Sequence, residues 1–168
     1  MASVTAPPHR GVLRCGDKEF PCVFGRGGVR TGKREGDGAT PAGCFELRQV
    51  FYRADRLPKP ETKIPVRALD PADGWCDDPA DPSYNRFVRL PHAARAERLW
   101  RDDAQYDVVG VLGYNDDPVV PGAGSAIFLH VAKADEGPTQ GCVALALGDL
   151  LTVLKAAGPG SCLCVAAV

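Results

Sequence analysis

A histidine and a cysteine that are close in sequence are the residues of this chain best suited to chemistry. His130 lies in the apolar segment 126–131, and Cys142 follows Thr139-Gln140-Gly141. A thiol attacks carbonyl carbon as its thiolate, and an imidazole can take its proton and later return it to a leaving amine. Gly141 can adopt backbone angles closed to other residues and so bring an N–H close to a reacting oxygen. These residue types permit acyl transfer.

The segments around these two residues must place them on one face of a sheet. A strand, a loop and a returning strand, forming one hairpin, would bring His130 and Cys142 together. Alternation along strands puts Phe128 with His130 on one face, and Ala144 with Cys142 on one face. Taken singly, each would be a structural core residue, so their combination with the preceding glycine carries the prediction of a catalytic pair.

The composition is that of an ordinary globular domain. The chain has 168 residues and a net charge of −1, which indicates neither a polyanion nor a membrane surface as partner. No apolar run approaches the roughly 20 residues needed to span a bilayer, and the start lacks the apolar stretch of a secretory signal. We predict a flexible N-terminus over residues 1–10 and a single domain over 11–168. The expected location is the cytoplasm, or the periplasm if a signal peptide has been removed.

The cysteines give no metal or disulfide pattern. Seven are present, an odd number, and most are expected to be small buried hydrophobic residues. Cys162 and Cys164 lie in an alternating apolar tail that suits a strand. His9, His92 and His130 supply no paired ligand spacing. The sequence therefore predicts no metal and no cofactor.

Short apolar segments separated by glycine and proline predict a mainly β fold, an antiparallel sandwich or barrel with two or three short helices. The predicted strands are Gly11–Cys15, Glu19–Phe24, Gly43–Phe51, Val66–Leu69, Arg86–Leu90, Val108–Tyr114, Ala126–Val131, Cys142–Leu147 and Cys162–Ala166. The predicted helices are His92–Arg101 and Asp149–Ala157. Residues 70–85 are predicted to form a long loop.

One glycine-rich segment resembles a phosphate-binding loop without completing it. Gly27, Gly32 and Lys33 have the required spacing, but Arg34 stands where a serine or threonine is needed. The following residues cannot open a helix, so we interpret the glycines as turn residues.

Two ordered motifs resemble the L,D-transpeptidase catalytic domain, also called the YkuD domain. That family has a histidine, a variable loop and Ser/Thr-His-Gly-Cys, matched here by His130 and by Thr139-Gln140-Gly141-Cys142. An upstream family element, Gly-x-x-x-Thr-Pro-x-Gly-x-Phe, is matched by residues 36–45. The resemblance extends from about residue 11 to the end of the chain.

The resemblance implies a largely β enzyme that acts on peptidoglycan stem peptides. Cys142 would match the nucleophile that forms a thioester and releases D-alanine, and His130 would match the base. In the family a backbone carbonyl often orients this histidine. N–H groups around Gly141 and Cys142 would match the oxyanion site.

The chain departs from the family pattern beside the nucleophile. The loop is short, Gln140 replaces the family histidine, and Ala144 stands where many members carry a polar residue. A substrate carboxylate must then be met elsewhere. Arg86, in the segment Tyr84-Asn85-Arg86, and Lys133 are the candidates, and guanidinium geometry favours Arg86. Thr139, Gln140, Arg86 and Tyr84 are thus the predicted substrate-binding residues.

The acceptor of the acyl group decides the reaction. Water would make the protein an L,D-carboxypeptidase of murein recycling, which we favour because no export signal is visible and the thiols suit a reducing compartment. An amine of a second stem would make it a periplasmic crosslinking L,D-transpeptidase. An inactive peptidoglycan-binding domain, or another cysteine hydrolase on the same scaffold, is a further alternative.

Overall fold

The computed structural model describes residues 2–5 and 9–166. Their strands are β1 (Ala2–Thr5), β2 (Arg10–Cys15), β3 (Lys18–Val23), β4 (Val29–Arg30), β5 (Thr40–Pro41), β6 (Gly43–Tyr52), β7 (Val66–Ala68), β8 (Asp73–Cys76), β9 (Phe87–Arg89), β10 (Ala96–Arg98), β11 (Val108–Leu112), β12 (Phe128–Val131), β13 (Val143–Leu145) and β14 (Cys162–Ala166). One α-helix, α1, spans Leu147–Ala156, and a 3-10 turn spans Ala104–Tyr106.

The main sheet has nine strands in the order β11-β12-β13-β3-β2-β1-β14-β6-β7, and β11 also pairs with β6. Three of its pairs are parallel, namely β12–β13, β1–β14 and β6–β7. A second sheet has the order β10-β8-β9, and β4 pairs with β5. The sheets are therefore mixed, and the prediction of a mainly β fold is confirmed.

Strands β11 and β12 are buried on both faces, which explains their unbroken apolar sequences. Leu129 and Val131 join a core that also contains Leu150 and Leu154 of α1. Phe128 lies on the opposite face, in a second cluster with Cys142. This second cluster also contains Leu99 and Tyr106, and Trp75 of β8 packs against it, so the three-stranded sheet covers the face that carries the predicted catalytic residues.

Nearly all of the predicted elements are present. Each of the nine predicted strands overlaps an observed strand, and the predicted helix Asp149–Ala157 corresponds to α1. The predicted helix His92–Arg101 is wrong, because this segment contains β10, which pairs with β8. Tertiary contacts override the helix propensity of these residues: Leu99 is fully buried, and its N–H donates to the backbone carbonyl oxygen of Asp73.

Two other predictions need correction. The predicted loop over residues 70–85 contains β8. Residues 2–5, predicted to be part of a flexible N-terminus, form β1 and pair with β2 and β14. Strand β8 pairs with β9 and β10, whereas β1 pairs with its sequence neighbour β2 and with the distant β14, so neither strand was evident from local composition alone.

The cysteines also differ from expectation. Cys44 and Cys164 occupy paired positions of β6 and β14 and form a disulfide. The other five cysteines are free: Cys22, Cys76 and Cys142 are buried, Cys15 is half-buried and Cys162 is exposed. Within the described residues no helix is both long and apolar enough to cross a membrane.

Candidate active site

A cavity of about 570 Å³ opens on the face of β12 that points away from α1. Its volume is typical of pockets that bind small ligands. Four of the predicted site residues line it: His130, Thr139, Gln140 and Cys142. The structure thus brings the predicted nucleophile and base to one cavity.

The two catalytic candidates do not lie on a hairpin. Strand β13 runs parallel to β12, with His130 opposite Ala144 and Leu129 opposite Val143. Cys142 directly precedes β13, and its sulfur accepts a hydrogen bond from the Phe128 N–H at 3.3 Å. The prediction that His130 and Cys142 lie on the same face of the sheet is correct, whereas the predicted antiparallel direction of the second strand is wrong. Both can hold because the alternation of side chains depends on register and not on strand direction.

Cys142 is held as a neutral thiol in the resting protein. Its side chain is buried, and the thiol donates to the carbonyl oxygen of Ala126 at 3.2 Å. Burial raises the pKa of Cys142 to about 12, and the carboxylate of Glu97 acts in the same direction. The Phe128 N–H and the Lys33 ammonium partly oppose this rise. A thiolate therefore forms only as its proton is transferred to a base.

His130 is set up to be that base. Its Nδ1 lies 2.9 Å from the carbonyl oxygen of Val131, so Nδ1–H donates there and Nε2 is left to accept a proton. Burial lowers the pKa of His130 to about 4, which keeps the ring neutral. The ring of Tyr106 packs edge-on against the imidazole at a centroid distance of 5.3 Å. A backbone carbonyl and an aromatic ring thus orient the base without an acidic partner.

The two sequence motifs meet at the backbone of Cys142. The hydroxyl of Thr139 donates to the Cys142 carbonyl at 2.7 Å, and the hydroxyl of Thr40 donates to the same oxygen at 3.3 Å. The N–H of Gly25 donates to the Thr40 hydroxyl at 2.8 Å, which fixes its direction. Gly141 has a φ of +137°, and a side chain there would lie 2.8 Å from the carbonyl oxygen of Ala39. The upstream motif, residues 36–45, therefore supports the loop that ends at Cys142.

The N–H groups beside the nucleophile are not equivalent. The N–H of Gly141 donates to the Thr139 hydroxyl at 3.1 Å and is already satisfied. The N–H of Cys142 has no hydrogen-bond partner in the part of the chain that the structure describes. Of the two N–H groups expected at the oxyanion site, that of Cys142 is therefore available to a ligand, whereas that of Gly141 is engaged with Thr139.

Lys33 was missed as a site residue. It lines the cavity with only 3% of its side chain exposed, and its ammonium donates to Asp37 at 2.9 Å. The ammonium also lies 3.4 Å from the position that a Gly141 side chain would occupy. A buried cation beside the nucleophile favours negative charge there. Its only sequence signal was the incomplete phosphate-loop pattern, which we interpreted as turns.

Charged side chains of both signs form the cavity walls. Arg95 pairs with Asp77 at 3.0 Å, Arg101 pairs with Asp103 at 2.6 Å, and all of them except Asp103 line the cavity. Glu97 accepts a hydrogen bond from the Tyr106 hydroxyl at 2.6 Å, and burial raises the pKa of Glu97. Such a lining can bind a substrate that carries both ammonium and carboxylate groups.

The remaining predicted substrate contacts lie elsewhere. Arg86 is exposed, and neither Arg86 nor Tyr84 belongs to the cavity lining. Tyr84 is buried and donates its hydroxyl to Glu35, so it reaches the cavity only through that carboxylate. Lys133, the alternative to Arg86, does line the cavity, and no ion pair involves it among residues 9–166. Lys133 is therefore better placed than Arg86 to contact a ligand in this cavity.

The fold, the parallel β12–β13 pair and a cavity lined by Cys142 and His130 are features that acyl transfer by a cysteine nucleophile requires. Residues 12–165 match the family model of the L,D-transpeptidase catalytic domain, YkuD. The chain belongs to this family and is an L,D-transpeptidase-family enzyme that acts on peptidoglycan. No curated protein and no solved structure matches the chain.

Proposed function

We propose that this enzyme cleaves the bond between the diamino acid and the terminal D-alanine of a peptidoglycan stem peptide, with water as the favoured acceptor. It would then be an L,D-carboxypeptidase. The observation that carries the proposal is the cavity that contains the Cys142 thiol, the His130 ring and the Cys142 N–H. The chemistry is that of a covalent acyl-enzyme.

The first half of the reaction forms a thioester. The scissile carbonyl oxygen binds at the Cys142 N–H, and His130 Nε2 takes the thiol proton as Sγ attacks the carbonyl carbon. The tetrahedral intermediate collapses as the C–N bond breaks and His130 returns the proton to the leaving amine. D-alanine departs, and the shortened stem remains bound to Cys142.

The second half regenerates the thiol. His130 takes a proton from water, whose oxygen attacks the thioester carbonyl. The C–S bond then breaks, the sulfur recovers the proton and the shortened stem is released. The cavity is lined by both Cys142 and His130, and its volume of about 570 Å³ is sufficient for one peptide end.

Crosslinking is the second candidate, and the Cys44–Cys164 disulfide favours it. Disulfides persist in oxidising compartments, where a crosslinking enzyme would meet the mature wall. The cysteines of this chain therefore favour a reducing compartment less than expected. If this pair is oxidised in the cell, periplasmic transpeptidation becomes the better proposal.

The experiment combines purified protein with a tetrapeptide stem and follows the products by mass spectrometry. We expect tripeptide and free D-alanine, and a covalent adduct on Cys142 in the intact mass. Cys142→Ala should abolish both, whereas the matched variant Cys22→Ala, which removes another buried thiol, should retain them. Turnover by Cys142→Ala would refute the proposed nucleophile.

An acceptor stem added to the same assay separates the candidates. Tripeptide alone indicates hydrolysis, and crosslinked dimers indicate transpeptidation. Binding of the stem without either product would instead indicate an inactive binding domain.

A further inference from the structure

Three side chains of the types that bind metals meet outside the active-site cavity. They are Cys76 at the end of β8, Asp81 in the turn that follows, and His92 after β9. One candidate ligand atom from each, the cysteine sulfur, a carboxylate oxygen and a ring nitrogen, lies within 4.8 Å of the other two. Their sequence spacing contains no ligand pair, which is why the sequence predicted no metal.

The histidine of this cluster has an unsatisfied buried nitrogen. His92 Nε2 is sealed from solvent and has no hydrogen-bond partner among the described residues. The nearest carboxylate oxygen, Asp81 Oδ1, is 3.5 Å away, which is longer than a good hydrogen bond. A buried polar atom without a partner calls for an explanation. A bound ion provides one, and it would also be bound by the neighbouring Cys76 and Asp81.

The geometry is close to that of a tetrahedral ion site. Bonds of about 2.0–2.3 Å place tetrahedral ligand atoms roughly 3.3–3.8 Å apart, so the cluster needs to contract by about 1 Å. Cys76 is fixed by backbone hydrogen bonds to Asn85 and Arg86. Asp81 and His92 keep about a fifth of their side chains exposed, which leaves them room to move and gives an ion a path inward.

We propose that Cys76, Asp81 and His92 bind one Zn²⁺ ion, with water as the fourth ligand. A sulfur, an imidazole nitrogen and a carboxylate oxygen together suit zinc and do not suit calcium or magnesium. Cys76 binds as the thiolate, and its proton is released to solvent. A second Cys–His–Asp hydrolytic centre is excluded as an explanation, because Cys76 is 0% exposed and no substrate reaches it.

The site lies directly behind the wall of the active-site cavity. Asp77 follows Cys76, lines the cavity and pairs with Arg95, which lies three residues after His92. An ion held by Cys76, Asp81 and His92 ties these two segments together. Zinc therefore stabilises the cavity wall without contacting substrate.

The test is a titration of the metal-free full chain with Co²⁺, a spectroscopic substitute for zinc. Cys142→Ala is used as the parent protein, because the active-site thiol and imidazole are competing ligands. We expect a thiolate-to-cobalt charge-transfer band that saturates at one equivalent and disappears when Zn²⁺ is added. Zinc at a hundredfold excess over its dissociation constant should raise the melting temperature by roughly 5–10 °C.

Two further variants identify the ligands. In the same parent, Cys76→Ser should abolish the charge-transfer band and His92→Gln should weaken cobalt binding at least tenfold. Cys22→Ser, which removes a buried thiol elsewhere, should leave the titration unchanged. The proposal is overturned if the parent shows no saturable band, which needs no variant to fold. It is also overturned if Cys76→Ser retains the band or Cys22→Ser loses it.

Discussion

Each catalytic residue is tuned by what surrounds its side chain. Burial raises the pKa of Cys142 and lowers the pKa of His130, so the resting pair is uncharged. In the proposed mechanism, charge appears only when the proton crosses from the Cys142 sulfur to His130 Nε2. Lys33, buried on the cavity wall, is a positive charge that opposes the rise in the pKa of Cys142.

The first prediction concerns pH and the buried imidazole. Because burial lowers the pKa of His130 from 6.5 to about 4, the unfolded chain binds the proton first as pH falls. The contribution of the neutral His130 ring to the free energy of unfolding is complete above pH 6.5. Up to roughly 3 kcal/mol of it is lost as pH falls towards 4. Urea unfolding at pH 7 and pH 4.5 should show this loss.

His130→Gln provides the control, because it removes the titrating group while the carboxylates remain. The variant should lose less stability than the native protein between these two pH values. An equal loss in both would show that other groups account for the acid sensitivity.

The second prediction distinguishes two exposed cations. Lys133→Gln should raise KM for a stem peptide roughly tenfold, about 1.4 kcal/mol, because it removes a charge from the cavity wall. Arg86→Gln, which removes a charge outside the cavity, should leave KM within about twofold. Steady-state kinetics of D-alanine release measures both, and the reverse order of effects would restore Arg86 as the carboxylate ligand.

At the scale of elements, the site depends on two parallel strands and a short loop between them. Strand β12 supplies His130, the loop ends at Cys142, and the isolated bridge between Gly25 and Thr139 fixes the loop from outside. The loop backbone passes so close to Ala39 that position 141 cannot carry a side chain. The Cys142 N–H, the proposed oxyanion donor, is therefore positioned by backbone packing.

The third prediction tests this packing. Gly141→Ala should destabilise the fold by roughly 1–3 kcal/mol and reduce kcat, because φ is +137° and the new methyl group would meet the Ala39 carbonyl. Gly148→Ala is the matched control, since it lies in α1 and its methyl group would meet nothing within 4 Å. That variant should gain up to about 1 kcal/mol. Chemical denaturation measures stability, and D-alanine release measures kcat.

For the whole molecule, the main sheet joins distant parts of the chain, and one covalent bond reinforces it. The Cys44–Cys164 disulfide links β6 to β14 across 120 residues of sequence. Closing a loop of this length removes considerable entropy from the unfolded chain. The bond therefore stabilises the scaffold that holds the catalytic strands.

The fourth prediction concerns this bond. Denatured, unreduced protein should show five reactive thiols, and all seven cysteines should react after reduction. The double variant Cys44→Ala/Cys164→Ala should lose roughly 2–4 kcal/mol of unfolding free energy. Cys15→Ala/Cys162→Ala, which removes two unbonded cysteines, is the control, and an equal loss in both would argue against the bridge.

Nine of the fourteen strands in the described residues, helix α1 and the two candidate catalytic residues could be predicted from the sequence. Periodicity reports which side chains share a face, and the two motifs indicated His130 and Cys142 from local order alone. The wrong helix at 92–101 shows the limit of this information, since β10 is set by its pairing with β8.

Which distant residues share a site became evident from the three-dimensional structure. The parallel direction of β13, the approach of Lys33 to the nucleophile and the meeting of Cys76, Asp81 and His92 depend on the path of the chain between them. Local patterns carry no record of that path. The path of the chain follows from the burial of both faces of β11 and β12. This burial involves residues from the whole chain.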